Sequence, residues 1–126
     1  MNLMEKIIKL EKEAVTFGFC WENTTQIMAQ IQSECVEINE HLTGTKISCN
    51  PTDLQEEIGD LLHAVFSLSV FCNFDPQDTL EKALNKLERR LSAVQAIASE
   101  SGLSNLNGHS FEQCMMIWEQ AKNRVG

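Results

Sequence analysis

Apolar residues recur at steps of three and four through most of the chain, and short clusters of Gly, Pro, Asn and Ser interrupt them. That rhythm is helical. A first segment covers about residues 3–16, with Ile7, Leu10 and Ala14 at helical spacing, and stops near Gly18. A second covers about 24–42, where Ile27, Ile31, Cys35, Ile38 and Leu42 form one stripe. After the loop TGTKISCNP, Pro51 suits the first turn of a third helix, and Thr52-x-x-Gln55 has the form of a capping box. This helix should reach about Cys72. From Leu61 onward it is apolar nearly all round, as expected for burial on several sides or for a subunit interface. The run FDPQD opens a fourth helix, with Asp75 as N-cap and Pro76 in first position. Along it Leu80, Leu84, Leu87, Leu91, Val94 and Ala98 make a seam of heptad spacing, ended by Gly102. Ser110 caps a last helix that reaches Asn123. The expected fold class is all-α, an antiparallel bundle of four to five helices.

Composition agrees with a single domain over residues 1–126. The chain is long enough for a core, with 43% hydrophobic residues, two prolines and no tyrosine. A net charge of −8 argues against a nucleic-acid binder, which would show a basic stripe, and against an anionic membrane surface. A small anionic substrate stays open, because a metal ion can invert the local field. The five cysteines (20, 35, 49, 72 and 114) show no CxxC spacing, which disfavours a zinc ribbon or a disulfide framework and suits reduced thiols. The N-terminus alternates charged and apolar residues, unlike a signal peptide. The longest apolar run, Leu61 to Phe71, is well short of the ~20 residues needed to span a bilayer. A soluble, cytoplasmic protein is expected.

Two acidic pairs change the picture. Glu34 and Glu37 stand three residues apart on the second helix, as do Glu57 and Asp60 on the third. Residues so spaced share a helix face. At about 100° per residue, Glu34 lies roughly 60° from the centre of its apolar stripe, so it borders the core. Glu57 likewise flanks the stripe begun by Leu54 and Ile58. Like charges at this spacing repel, and a hard divalent cation would remove the penalty. Mg²⁺ takes a few carboxylates together with waters and substrate phosphates. The plainer alternative is that both pairs are solvated helix faces.

Basic and aromatic residues follow downstream. Lys86 and Arg90 lie together on the flank of the leucine seam and could bind a polyphosphate, or else pair with Glu88 or neighbouring helices. On the last helix Phe111, Met115, Trp118 and Lys122 share a face. Trp118 offers a stacking surface for a base; alternatively it is core, with Lys122 snorkelling at the helix end.

In this order, the segments GFCWENT, ExxE at 34–37, EEIGDLL at 56–62, FDPQDTLEKALNKLERRL and IWEQAK resemble the MazG-like nucleotide pyrophosphohydrolases of the all-α NTP pyrophosphatase superfamily. The resemblance spans nearly the whole chain. It implies Mg²⁺-dependent cleavage of a nucleoside triphosphate to monophosphate and pyrophosphate, in nucleotide-pool housecleaning, with Mn²⁺ as an alternative metal. Glu34, Glu37, Glu57 and Asp60 match the metal ligands. Lys86 and Arg90 match phosphate-contacting positions, and Trp118 and Lys122 match a nucleotide-contacting pair. A homodimer or homotetramer, assembled through apolar helices, is implied too. Ser33 stands where many relatives carry a second glutamate, and His63 stands where a Phe often follows GDLL. His63, three residues from Asp60, could orient a ligand or simply pack.

The mechanism expected is metal-assisted attack of water on the α-phosphorus. Glu37 or Glu56 would accept the water proton, and Lys86, Arg90 and Lys122 would stabilise charge on the triphosphate. Two other readings remain: a phosphoribosyl-ATP pyrophosphohydrolase, and a non-catalytic helical dimer that binds a partner.

Overall fold

The computed structural model describes residues 1–45 and 50–126. Among them the chain forms five helices and no strand: α1 (Leu3–Phe17), α2 (Thr24–Thr43), α3 (Pro51–Phe71), α4 (Pro76–Glu100) and α5 (Phe111–Val125). Each boundary has a local chemical cause. Asn2 caps α1 and forms a reciprocal box with Glu5, and Gly18 closes it at φ 95°, a conformation that favours glycine. Asn23 caps α2, its side chain accepting from the Gln26 amide at 3.0 Å. Asp75 accepts from the Asp78 amide at 3.0 Å ahead of Pro76, as the sequence predicts. Ser110 and Gln113 form a second reciprocal box at the start of α5.

The start of α3 departs from expectation. Asn50, rather than Thr52, is the N-cap; its side chain accepts from the Asp53 amide at 2.9 Å and donates to the Asp53 carboxylate at 2.9 Å. Pro51 explains the choice. It takes the first helical position, where its missing N–H costs nothing, so the cap falls one residue before it.

The chain divides into two compact units, Met1–Thr79 and Leu80–Gly126. In the first, α3 packs against both α2 and α1. The buried line of α2 is Ile27, Glu34 and His41. Its members are seven residues apart, and seven residues advance a helix by roughly 20° less than two turns, so all three lie nearly in register. The expected stripe is thus rotated: Ile31 and Ile38 are half-buried, and Cys35 and Leu42 are exposed. On α3 the buried residues are Glu57, Ala64, Ser67 and Ser69, whereas Leu62 is 56% exposed and Val65 is exposed as well. The helix that reads as apolar all round therefore buries its small and polar side chains and leaves large apolar ones open. Polar contacts close the unit. Ser67 Oγ donates to Glu11 Oε1 at 2.5 Å, and His63 Nε2 lies 2.9 Å from the same oxygen, which ties α1 to α3. Ser69 Oγ donates to the Phe74 carbonyl at 3.1 Å, fixing the turn before α4.

In the second unit Ala93, Ile97 and Ala121 form the core, with Val94 and Ile117 packed against it. Here too the predicted seam is only partly used. Ala98 is buried and Val94 half-buried, but Leu80, Leu84, Leu87 and Leu91 are exposed. Glu100 and Arg124 add a bidentate pair at 2.9 and 3.0 Å. No helix among the described residues is long and apolar enough to cross a membrane. Cys20, Cys35, Cys72 and Cys114 are free thiols; Cys49 lies outside the described residues.

Candidate functional site

The acidic residues singled out from the sequence all belong to the first unit, on the paired helices α2 and α3. Glu34 is their centre. It does not border the core but sits in it, only 8% exposed, on the line that Ile27 and His41 share. Its Oε1 accepts a hydrogen bond from Gln30 Nε2 at 2.7 Å, one helical turn earlier. Its Oε2 is buried and has no hydrogen-bond partner among the described residues. An unmet buried acceptor costs about 1–3 kcal/mol, more when it is charged. Burial, first, and then the negative charges of Glu37, Asp60 and Glu57 push the Glu34 carboxyl above its ordinary value, while the Gln30 bond opposes them. The other three carboxylates therefore lie within electrostatic reach of Glu34, gathered by the i, i+3 spacing on each helix and by the contact between the two helices.

Glu57 on α3 is buried and faces α2, where His41 Nε2 lies 3.0 Å from Glu57 Oε2. His41 escaped the sequence reading, which treated the stripe of α2 as purely apolar. Its signal was present: a polar residue seven positions after Glu34 must face the same way. Glu37, Glu56 and Asp60 are exposed. His63 neither packs nor serves the acidic pairs; its ring is largely open and bound to Glu11. Among the described residues, no group of three or more His, Cys, Asp or Glu side chains is arranged to hold a metal ion as it stands. The donor set nonetheless suits a hard cation. It is all carboxylate, it is pressed together at an electrostatic cost, and it includes a buried oxygen without a donor. Glu37 and Asp60, being exposed, are free to change rotamer.

In the second unit, α4 carries Lys86 and Arg90, and α5 carries Trp118 and Lys122. The structure brings Arg90 and Trp118 together: the guanidinium stands 5.7 Å from the ring centroid, in cation–π range. Arg90 Nε also donates to the Gly126 carbonyl at 2.9 Å, so one edge of its fork serves the end of α5. Trp118 is half-buried. Lys122 pairs with Glu119, a turn earlier, at 2.8 Å, and Lys86 is exposed. The core face of α5 belongs to Ile117 and Ala121, and Phe111 and Met115 are exposed.

Residues 22–95 match the family model described as the MazG nucleotide pyrophosphohydrolase domain. That stretch contains all four acidic positions together with Lys86 and Arg90. Similar curated proteins include the nucleoside triphosphate pyrophosphohydrolase/pyrophosphatase MazG of Thermotoga maritima, 31% identical over 90% of this chain and 42% of its own length. The nucleoside triphosphate pyrophosphohydrolase of Escherichia coli K12 is 28% identical over 92% of this chain and 43% of its own. The uncharacterized protein YabN of Bacillus subtilis is 31% identical over 56% of this chain and 14% of its own. The chain thus spans about two-fifths of the length of the first two.

Proposed function

The chain belongs to the MazG nucleotide pyrophosphohydrolase domain family, and from that premise we propose that it cleaves a nucleoside triphosphate to the monophosphate and pyrophosphate, with a divalent cation, as a nucleotide-pool housecleaning enzyme. The observation that carries this reading is Glu34, a carboxylate buried among three others with one oxygen unmet. A protein gains nothing in stability from that arrangement, and a cation-binding role accounts for it. The names of the relatives from Thermotoga maritima and Escherichia coli point to the same reaction.

Glu34, Glu37, Glu57 and Asp60 would hold the ion, Mg²⁺ or Mn²⁺, as an oxygen-only set. When bound, the ion would polarise phosphoryl oxygens and lower the pKa of the attacking water. Glu37 and Glu56, both exposed on the acidic helices, are the candidates to take the water proton as it attacks the α-phosphorus. In the second unit, Lys86, Arg90 and Lys122 are assigned to phosphate charge and Trp118 to the nucleotide, on the strength of the family match and of the Arg90–Trp118 stack. We assign the enzyme to the cytoplasm, in keeping with the free thiols of the described cysteines. A homodimer or homotetramer would cover the exposed Leu80, Leu84, Leu87 and Leu91.

A panel of ribo- and deoxyribonucleoside triphosphates with Mg²⁺, with products separated by chromatography, tests the reading. Monophosphate plus pyrophosphate is expected, with Glu57→Gln inactive but folded. Inorganic phosphate alone, or turnover indifferent to divalent metal, would sink it. Turnover of phosphoribosyl-ATP but of no free triphosphate would select that related reaction instead.

A further inference from the structure

We propose that Gln30 is a positioning residue that sets which cations the acidic site accepts. Its side-chain amide takes one oxygen of the Glu34 carboxylate, so Glu34 has a single oxygen to give, and a small octahedral ion such as Mg²⁺ or Mn²⁺ is favoured over Ca²⁺. The inference rests on the metal site proposed above and adds a residue from outside the four acids.

Gln30 stands one helical turn before Glu34 on α2 and is half-buried. Long side chains on a helix lean back over the preceding turn, so residues four apart meet. Here Gln30 Nε2 donates to Glu34 Oε1 at 2.7 Å. The two oxygens of this buried carboxylate are thus treated differently. Oε1 has a donor, whereas Oε2 is buried and has no hydrogen-bond partner among the described residues. Burial alone would call for both oxygens to be met. A contact that meets one and leaves the other holds the plane of the carboxylate and reserves Oε2 for a ligand. Among the described residues α3 is the one helix packed on α2, and it brings the charges of Glu57 and Asp60 within reach of Glu34.

The two kinds of cation respond differently to a carboxylate held in this way. Ca²⁺ gathers about 6–8 oxygens at ~2.3–2.6 Å and often takes both oxygens of one carboxylate. To do so at Glu34 it would have to share Oε1 with the amide nitrogen already 2.7 Å away. Mg²⁺ demands a near-ideal octahedron at ~2.0–2.1 Å and keeps several waters, so one oxygen from each of a few carboxylates suffices. Gln30 therefore denies Ca²⁺ a ligand atom and denies Mg²⁺ none. Because the amide is neutral, it does so without a positive charge that would repel either ion.

The test is metal binding to the full chain without nucleotide, read from the electron paramagnetic resonance signal of free Mn²⁺. A Mn²⁺ titration gives one affinity, and displacement of bound Mn²⁺ by added Ca²⁺ gives the other. Wild type should bind Mn²⁺ more tightly than Ca²⁺. Gln30→Met keeps the length of the side chain and removes the donor, and the helical circular dichroism should be unchanged. Its preference for Mn²⁺ over Ca²⁺ should fall about tenfold, the lower end of what losing the partner of a metal ligand does to affinity. A role confined to stability would weaken both ions alike and leave the ratio at the wild-type value, and that result overturns the proposal. A wild type indifferent to the choice of ion overturns it as well. Gln30→Ala removes the same donor with a residue of higher helix propensity, and it decides in the same way should Gln30→Met fail to fold. Glu34→Gln separates the two levels. If wild type binds Mn²⁺, Glu34→Gln binds it more weakly and Gln30→Met keeps the wild-type ratio, only the Gln30 inference falls. If wild type binds no Mn²⁺, or Glu34→Gln binds it as wild type does, the metal site as proposed falls and takes this inference with it.

Discussion

Replacing Glu34 by Gln should make the metal-free protein more stable and its response to metal weaker. Glutamine keeps the shape of the side chain and can still accept the Gln30 bond, now 2.7 Å long, on its carbonyl oxygen. What disappears is a buried charge repelled by Glu37, Asp60 and Glu57. The new amide N–H group, in place of the unmet Oε2, is attracted rather than repelled by the charges of Glu37, Asp60 and Glu57. Relief of an unmet buried acceptor at 1–3 kcal/mol suggests a net gain of about 1–2 kcal/mol. For a chain of this size that is a rise of roughly 3–8 °C in Tm. Metal linkage runs the other way. At a concentration 100 times Kd, wild type gains about 2.7 kcal/mol from the ion, whereas a variant binding tenfold more weakly gains about 1.4. The pH dependence fixes the sign independently. Because the folded carboxyl titrates above its ordinary 4.5, the folded state holds its proton more tightly. The penalty is absent below the unfolded value and grows as pH rises through the folded one. The advantage of Glu34→Gln in chelator should therefore be small near pH 4.5 and grow towards neutral pH. Thermal unfolding in EDTA and in excess Mg²⁺, at several pH values, reads all three effects. A variant no more stable than wild type at pH 7 in EDTA, or one that responds to Mg²⁺ as wild type does, would refute the reasoning.

Three further outcomes follow from the same contacts. Glu11→Leu removes the acceptor that Ser67 and His63 share and leaves the Ser67 hydroxyl only its 3.3 Å contact with His63 Nε2, so it should lower stability by about 1 kcal/mol in urea unfolding; adding Ser67→Ala should restore part of the loss, because the weakened hydroxyl contact is then gone. Asn50→Ala removes the true cap of α3 and should cost about 1 kcal/mol, whereas Thr52→Ala should cost little, a contrast measurable by the same unfolding curves. The Glu100 carboxyl is held below its ordinary value by hydrogen bonding to Arg124, so what the pair contributes is present above pH 4.5 and fades as pH falls through the lowered value. Wild type and Arg124→Ala should accordingly converge in stability during acid titration below pH 4.5.

Helix number, order and most boundaries were legible in the sequence because caps and breakers act locally: Gly18, Asp75-Pro76 and Ser110 each end or start a helix through their own backbone preferences. The acidic cluster was legible for a similar reason, since i, i+3 spacing gathers Glu34 with Glu37 and Glu57 with Asp60 whatever surrounds them. What failed was the angular position of the buried face. The apolar stripe of α2 suggested a core centred on Ile31 and Ile38, yet Glu34 and His41 lie deeper. Which side of a helix is covered depends on its neighbour, and α3 offers Glu57 there as partner to His41. The same limit hid the open faces of α3 and α4. Leu62 and Val65 read as burial on several sides or as a subunit interface, and Leu84 as part of a seam, because a hydrophobic period marks a face to be covered without saying what covers it. Arg90 shows a third limit: the family resemblance marks it as a phosphate contact and spacing leaves ion pairing open, but only three-dimensional structure shows its guanidinium against Trp118 and the Gly126 carbonyl.

Hydrolysis of a nucleoside triphosphate in ¹⁸O-labelled water tests the proposed chemistry most directly. Attack on the α-phosphorus, supported by the carboxylates of α2 and α3, puts the label in the monophosphate and leaves the pyrophosphate unlabelled. Label in the pyrophosphate would mean attack at the β-phosphorus, and label in inorganic phosphate beside a diphosphate would mean attack at the γ-phosphorus; either result contradicts the role assigned to Glu34 and its neighbours.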